Sequence, residues 1–270
     1  MCAHNEEKYI KQALESVFFQ AIRPEKAIVI LDRCTDKTEE IAREFPVQII
    51  KKEKKEWSNS YAENLEIARQ YVDTEFYAIV DADVVLEPNY FKTLLAEIHE
   101  EDACISGEII TRSKTILGKL VSFWEKTYII SPSRRPRGCA LLIRKSLLDK
   151  IGGLADVPAP DTYIQDTALK LGYKIRITSN SLAYHTREIT LKKAMKAQFL
   201  AGIARYVQGK GVARTFLHSL VRLRPFVFIG YFYGFLTNKK RLKNNRKFDE
   251  HKTKDSPDTR SNFHAYEPGG

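Results

Sequence analysis

Short apolar runs separated by stretches of helical periodicity constrain this chain more than any other feature. Runs at residues 27–31, 47–50 and 76–80 have strand length and end at polar turns. Between them lie segments whose apolar residues recur at helical spacing. In residues 6–20, for example, Ile10, Leu14, Val17 and Phe18 fall on one face. Residues 35–45, 58–72 and a stretch following Pro88 also read as helices, and Pro suits a first helical turn. Strands alternating with helices of this length form βαβ units. They predict an α/β fold with a mostly parallel, Rossmann-like central sheet and helices on both faces. Such a domain leads with a strand, yet none is legible before His4, so the native start is expected upstream.

Past residue 100 the pattern loosens. Residues 104–110, 138–143 and 174–178 read as strands, 117–130 as helix-like and 131–137 as a basic loop. Residues 156–161, with Pro158 and Pro160, read as another loop. It leads into a helix that opens near Gln165 and Asp166 and stops at Gly172, with Tyr184 and His185 beyond the last strand. Residues 190–208 predict a long helix with Leu191, Met195, Phe199, Ile203 and Tyr206 opposite Lys192, Lys193, Lys196 and Arg205. Residues 225–236 are almost wholly apolar and aromatic, bounded by Arg222 and Arg224 before and by Lys239, Lys240 and Arg241 after. About a dozen residues fall short of the roughly 20 that one membrane-crossing helix needs. Residues 244–270 are polar and are expected to be disordered.

The 270 residues suffice for one large α/β domain plus an appendage, and 43% apolar content supports a core. A net charge of +10 implies an anionic partner: a nucleotide, a nucleic acid or a phospholipid surface. Cys2, Cys34, Cys104 and Cys139 form no CxxC pair, so they read as reduced thiols and not as a disulfide frame or zinc site. No apolar leader segment follows Met1, and an intracellular location is expected.

The chemistry concentrates at Asp81-Ala82-Asp83, which ends the run at 76–80. Open α/β sheets bind ligands at the carboxyl ends of their strands. Two acids one residue apart there can hold a hard divalent cation, which commonly bridges nucleotide phosphates. Neither a GxGxxG nor a Walker loop occurs, which argues against dinucleotide dehydrogenases and P-loop enzymes. Acidic or polar clusters recur at other strand ends: His4-Asn5-Glu6-Glu7, Asp32-Arg33-Cys34-Thr35-Asp36 and Gln165-Asp166.

Together these clusters carry a likeness. The chain resembles the family 2 glycosyltransferases of the GT-A fold over roughly residues 2–210, in the order Ala3-His4-Asn5-Glu6, Asp32 to Thr38, Asp81-Ala82-Asp83, Gln165-Asp166 and His185. The resemblance implies an inverting transfer of a sugar from a nucleotide-diphosphate donor to an acceptor hydroxyl. His4, Glu6, Asp32, Asp81 and Gly138 would then line the donor, Asp32 accepting from the base. Asp83, with Asp81 and His185, would hold Mg²⁺ or Mn²⁺, and Asp166 at a helix start would be the general base. Asp36 reads better as a helix cap. Three departures bear on the donor: Glu63 stands where relatives carry a phosphate-binding Arg, Gln165 replaces an acid, and Leu31 replaces an Asp.

The domain reading is a GT-A catalytic domain at 1–188, a basic and aromatic helical region at 189–243 and a tail at 244–270. Phe226, Phe228, Tyr231, Phe232 and Tyr233, flanked by basic residues, predict an anchor at an anionic membrane surface, hence a peripheral position on its cytoplasmic face. The acceptor is expected to be a sugar, a lipid-linked group or a protein, and nucleic acid is disfavoured as a partner. Two alternatives differ in kind. A sugar-phosphate nucleotidyltransferase would need a Gly-rich basic loop near the amino end, which is missing. A non-catalytic RNA- or lipid-binding module would make the acids dispensable and its affinity steeply salt-dependent.

Overall fold

The computed structural model describes residues 1–111, 115, 116, 119, 135–188, 191–222 and 224–237. All but residue 119 of the expected helix at 117–130, most of the loop at 131–137, the basic residues 239–241 and the tail at 244–270 lie outside the described residues.

The first half builds a parallel sheet. Strands β1 (Cys2–Ala3), β2 (Ile28–Asp32) and β3 (Gln48–Lys52) lie in that order, linked through helices α1 (Ile10–Phe18) and α2 (Thr38–Ala42). Helix α3 (Ser60–Arg69) follows, with Asn59 accepting a hydrogen bond from the Tyr61 amide at its start. A strand therefore does precede His4, contrary to the sequence expectation. It pairs for only two residues, too few to show any periodicity, and is fixed by main-chain bonds: the amino terminus donates to the Ile28 carbonyl and Ile30 N–H to that of Met1.

The second sheet is mixed. It contains β4 (Phe76–Val80), β5 (Val84–Leu86), β6 (Asp102–Thr111), β7 (Ala140–Arg144) and β8 (Lys174–His185), in the order β4-β7-β6-β8-β5. Only β6 and β8 run parallel; the other neighbours are antiparallel. Helices α4 (Tyr90–Glu97), α5 (Lys145–Lys150) and α6 (Pro160–Lys170) pack on it. Tyr90 is fully buried, and its hydroxyl donates to the Ala140 carbonyl and accepts from the Gly107 amide, tying α4 to both β6 and β7. The largest core cluster joins Ile30 of the first sheet to Tyr77, Ile79, Leu141 and Ile143 of the second and to Ile164 of α6. Each such side chain contributes about 1.5–3 kcal/mol by leaving water.

Two further expectations fail here. Helix α6 opens at Pro160, not near Gln165, so residues 160 and 161 belong to its first turn. Pro160 supplies the preset φ of a first helical position, although as a residue it reads equally well as a loop breaker. Strand β8 continues through Tyr184 to His185, because its far half pairs with β5, a strand too short to be legible.

The last three helices among the described residues are α7 (Leu191–Val207), α8 (Val212–Val221) and α9 (Pro225–Thr237). Among the described residues no helix is long and apolar enough to cross a membrane. Helices α7 and α9 cross at glycines. A side chain on Gly202 would collide with the Val227 carbonyl, and one on Gly230 with that of Phe199. Leu191 is exposed, so the expected apolar stripe of α7 does not hold at its first turn. Tyr231 also departs from expectation. It is buried against Tyr206, its hydroxyl donating to the Lys210 carbonyl, and faces the protein.

Candidate active site

Strand register brings the site together. The antiparallel pairing of Val80 with Ala140 places Gly138 and Cys139 beside Asp81, and the Asp81 amide donates to the Cys139 carbonyl at 2.9 Å. The pairing of Val84 with His185 sets the imidazole next to Asp83. Asp81, Asp83, Gly138 and His185, chosen from separate stretches of sequence, thus share one rim.

Asp83 is buried, with one carboxylate oxygen 3.6 Å from His185 Nδ1 and the other bound by Arg187 Nε. Burial pushes its pKa up, but His185 and Arg187 outweigh that and hold it at about 2. Arg187 also donates to the Glu6 carboxylate and lies over the Tyr9 ring, so Glu6 faces the same rim through this guanidinium. Burial opposes protonation of His185, yet the neighbouring Cys139 and Asp83 raise its pKa well above the usual value. Asp81 is the converse case: burial, with Asp83 beside it, raises its pKa despite a 2.8 Å bond from the Tyr61 hydroxyl.

Asp32 sits at the carboxyl end of β2 in a different setting. Its carboxylate accepts from Arg33 Nε at 2.7 Å, Ser60 Oγ at 2.6 Å and Asn64 Nδ2 at 3.0 Å, with Lys52 Nζ 3.6 Å away. Burial alone would raise its pKa, but these partners take it below the ordinary carboxylate range. The His4 ring meets the Asp32 carbonyl at 2.6 Å. Asn5 and Arg33, the residues that turn away from β1 and β2, both adopt left-handed backbone. Glu63 does not stand as a bare charge: it is buried and bonded to Lys52 Nζ at 2.7 Å. Asp36 accepts from the Thr38 amide and hydroxyl just ahead of α2, whose N-cap position is Lys37 and not Asp36.

Asp166 lies in the middle of α6, not at its start, so the helix dipole does not act on it as expected. It is clamped between Arg135 at 2.7 Å and Lys210 at 2.9 Å. Burial raises its pKa, but these two cations more than offset that and lower it. The acid in the first turn of α6 is Asp161, which sequence reading left in a loop. It packs against Gly138 so closely that an added Cβ there would lie 2.6 Å from the Asp161 Cβ and 2.8 Å from Oδ2. Burial raises its pKa, against the amides of Thr162 and Gly138 that bond its carboxylate. Asp161 and Asp81 both act on the buried Tyr61 hydroxyl, which links them to one neighbourhood. The signal that could have found Asp161 is Pro160, read as a first helical position.

Among the described residues no three of His, Cys, Asp and Glu stand together as a metal cage. The carboxylates of Asp81 and Asp83 supply the oxygen donors a hard divalent cation takes, its shell completed by phosphate and water; for Asp83 to ligate it must exchange Arg187, and His185 can join only after losing its proton. Arg187 holds the place beside Asp83 that such a cation needs. A cavity of about 480 Å³ lies elsewhere, along Arg43, Phe45, Val47, Ile49 and Lys51 at the outer edge of β3.

The glycosyl transferase family 2 model matches residues 1–151. No curated protein sequence matches the chain. Among solved structures it is similar to a mannosyltransferase, PcManGT from Pyrobaculum calidifontis, in complex with GDP-Man and Mn²⁺: 15% identity, TM-score 0.59, 88% of this chain and 69% of that one. It is likewise similar to glucosyl-3-phosphoglycerate synthase from Mycobacterium tuberculosis with Mn²⁺, UDP-Glc and phosphoglyceric acid, at 18% identity and TM-score 0.54 over 74% and 75% of the two chains. For S. aureus TarS 1-349 with UDP-GlcNAc the values are 16% and 0.53, over 75% of this chain and 63% of that one. With more than half of its length matched by the family model and the same architecture in these structures, the chain belongs to glycosyltransferase family 2 and has the GT-A fold.

Proposed function

We propose that the chain transfers a sugar, with inversion, from a nucleotide-diphosphate donor to an acceptor hydroxyl. The observation that carries this reading is the convergence of Asp81, Asp83, His185 and the helix-opening Asp161 around residues 138 and 139. Relatives of the same fold are complexed with nucleotide sugars, two of them with Mn²⁺. Asp83 and Asp81 would hold the divalent cation, His185 joining once it has lost its proton. When bound, a divalent cation offsets the negative charge that builds on the leaving diphosphate. Asp32, His4 and Glu6 line the donor side, and Asp32 is fixed in its ionised form by its four neighbours. Gly138 lets the Asp161 carboxylate approach the strand that borders the donor.

The base takes the proton from the acceptor hydroxyl as that oxygen bonds to the anomeric carbon, while the bond to the diphosphate breaks with its electron pair. Geometry favours Asp161, which packs against Gly138 beside Asp81 and whose pKa burial raises. Asp166, the base suggested by sequence, is the second reading: it is partly exposed, but must first shed Arg135 and Lys210. The acceptor is a sugar, a lipid-linked group or a protein. A panel of nucleotide sugars with Mn²⁺ or Mg²⁺, scored for nucleoside diphosphate release, tests the proposal. Turnover should require the metal and fall at least about a thousandfold in Asp83→Ala, a loss of transition-state charge stabilisation. Metal-independent turnover unchanged in the variant overturns the metal assignment.

A further inference from the structure

Helix α8 is built inside out. The residues it buries are polar, Thr215 and Ser219, while Phe216, Leu217, Leu220 and Val221 are 51–72% exposed. A surface helix ordinarily turns its apolar stripe to the core. Here the inner face is satisfied by hydrogen bonds: the Thr215 hydroxyl donates to the Gly211 carbonyl and accepts from Arg205, and that of Ser219 donates to the Arg224 carbonyl. The inversion is therefore a settled packing arrangement, and the outward face has been left apolar.

That face is continuous with α9. Phe216 packs edge-on against Phe228 at 5.2 Å between ring centroids, and Phe232, one turn further along α9, meets Phe235 at 6.0 Å. Helix α9 carries no charged residue, and its Phe232 and Leu236 are 51% and 65% exposed. Positive charge lies near this band: Arg214 of α8 is exposed, and Arg222 and Arg224, in the turn between α8 and α9, are half-buried. Arg205, Arg214, Arg222 and Arg224 all act on His218 and, together with burial, hold its pKa down at about 4. At 13 residues, α9 is about 20 Å long, too short to cross the roughly 30 Å hydrocarbon core.

We propose that α8 and α9 form a docking face for the surface of an anionic phospholipid bilayer, with Phe216, Leu217, Leu220, Val221, Phe232 and Leu236 entering the acyl boundary and the exposed Arg214 meeting headgroups. Apolar insertion beside basic residues matches the chemistry of that interface, where neither term alone gives stable binding. The face is tied to the catalytic wall, because Lys210, in the turn before α8, bonds Asp166 of α6, and Tyr231 of α9 bonds the Lys210 carbonyl. Docking would thus hold the α6 side of the cleft at a fixed place relative to the bilayer.

The test is vesicle co-sedimentation of the full chain without donor or metal, so that its outcome is independent of the transfer reaction. Wild type should bind phosphatidylglycerol-containing vesicles at least about tenfold more tightly than pure phosphatidylcholine, the preference fading with salt. The double variant Leu217→Asp/Leu220→Asp alters only exposed side chains, so its melting temperature should hold while vesicle binding falls at least about tenfold. Arg214→Glu should weaken the anionic preference alone. Binding that is absent in wild type, or unchanged in the double variant, overturns the proposal. So does a wild-type dimer in light scattering that the same substitutions dissociate, which would assign the face to a second copy.

Discussion

The carboxylates at the ends of the two sheets live in opposite electrostatic conditions. At the end of β2, Asp32 is supplied with Arg33, Ser60, Asn64 and Lys52, and its charge is compensated within the protein. At the ends of β4 and α6, Asp81 and Asp161 are half-buried and bonded by neutral donors, with cations acting on them only from a distance, and both have raised pKa values. Between them, Asp83 keeps its charge by borrowing Arg187 and His185. A compensated carboxylate presents fixed geometry, whereas an under-compensated one takes up a cation or a proton. The first sheet therefore offers a rigid wall and the second offers reactive groups, a division that composition alone would never suggest.

The sharpest way to break this contrast is at the two acids of α6. Asp161→Asn should lower kcat by about a hundred- to ten-thousandfold while leaving donor affinity within a few-fold, as loss of a general base does. Asp166→Asn should change kcat far less; the reverse order in steady-state kinetics would return the role to Asp166. On the compensated side, Lys52→Met leaves Glu63 buried without its cation and should cost about 3–5 kcal/mol in denaturant unfolding. Gly138→Ala forces a methyl into Asp161, and about 1–3 kcal/mol of destabilisation with a reduced kcat is expected.

The pH dependence separates the two groups by sign. The depressed pKa of Asp32 contributes stability that is present above the unfolded carboxylate value of about 4 and lost as pH falls through the folded value. Asp161 behaves oppositely. Its raised pKa contributes stability below about pH 4 that is lost as pH rises toward the folded value. At pH 7, Asp32→Asn should therefore lower the melting temperature and Asp161→Asn raise it. The smallest effect is expected at Arg33→Gly, where relief of left-handed backbone offsets loss of one bond to the buried Asp32, which keeps Ser60, Asn64 and Lys52, leaving stability within about 1 kcal/mol.

Much of the frame was legible from the chain. The run at 76–80 is β4 as read, and the alternation of short apolar runs with helical periodicity does build a parallel first sheet. These features are local, and the side-chain spacing that betrays them is set by the backbone itself. What escaped notice was short or two-faced in meaning. β1 pairs for two residues and β5 for three, below any periodic signal. Pro160 is by residue type a loop breaker as much as a helix opener, yet it opens α6 and carries Asp161 into the first turn.

By itself, the sequence determined the α/β class and the placing of Asp32, Asp81 and Asp83 at strand ends, because hydrophobic period and turn chemistry are properties of neighbouring residues. It also determined the apolar, uncharged character of α9. Tertiary structure alone decided which acids meet, which of them are neutralised, and that α8 faces outward with its apolar side. Those outcomes depend on strand register, on a glycine thin enough to admit Asp161, and on cations arriving from distant positions, as Arg187 does at Asp83, 104 residues away, and at Glu6, 181 residues away.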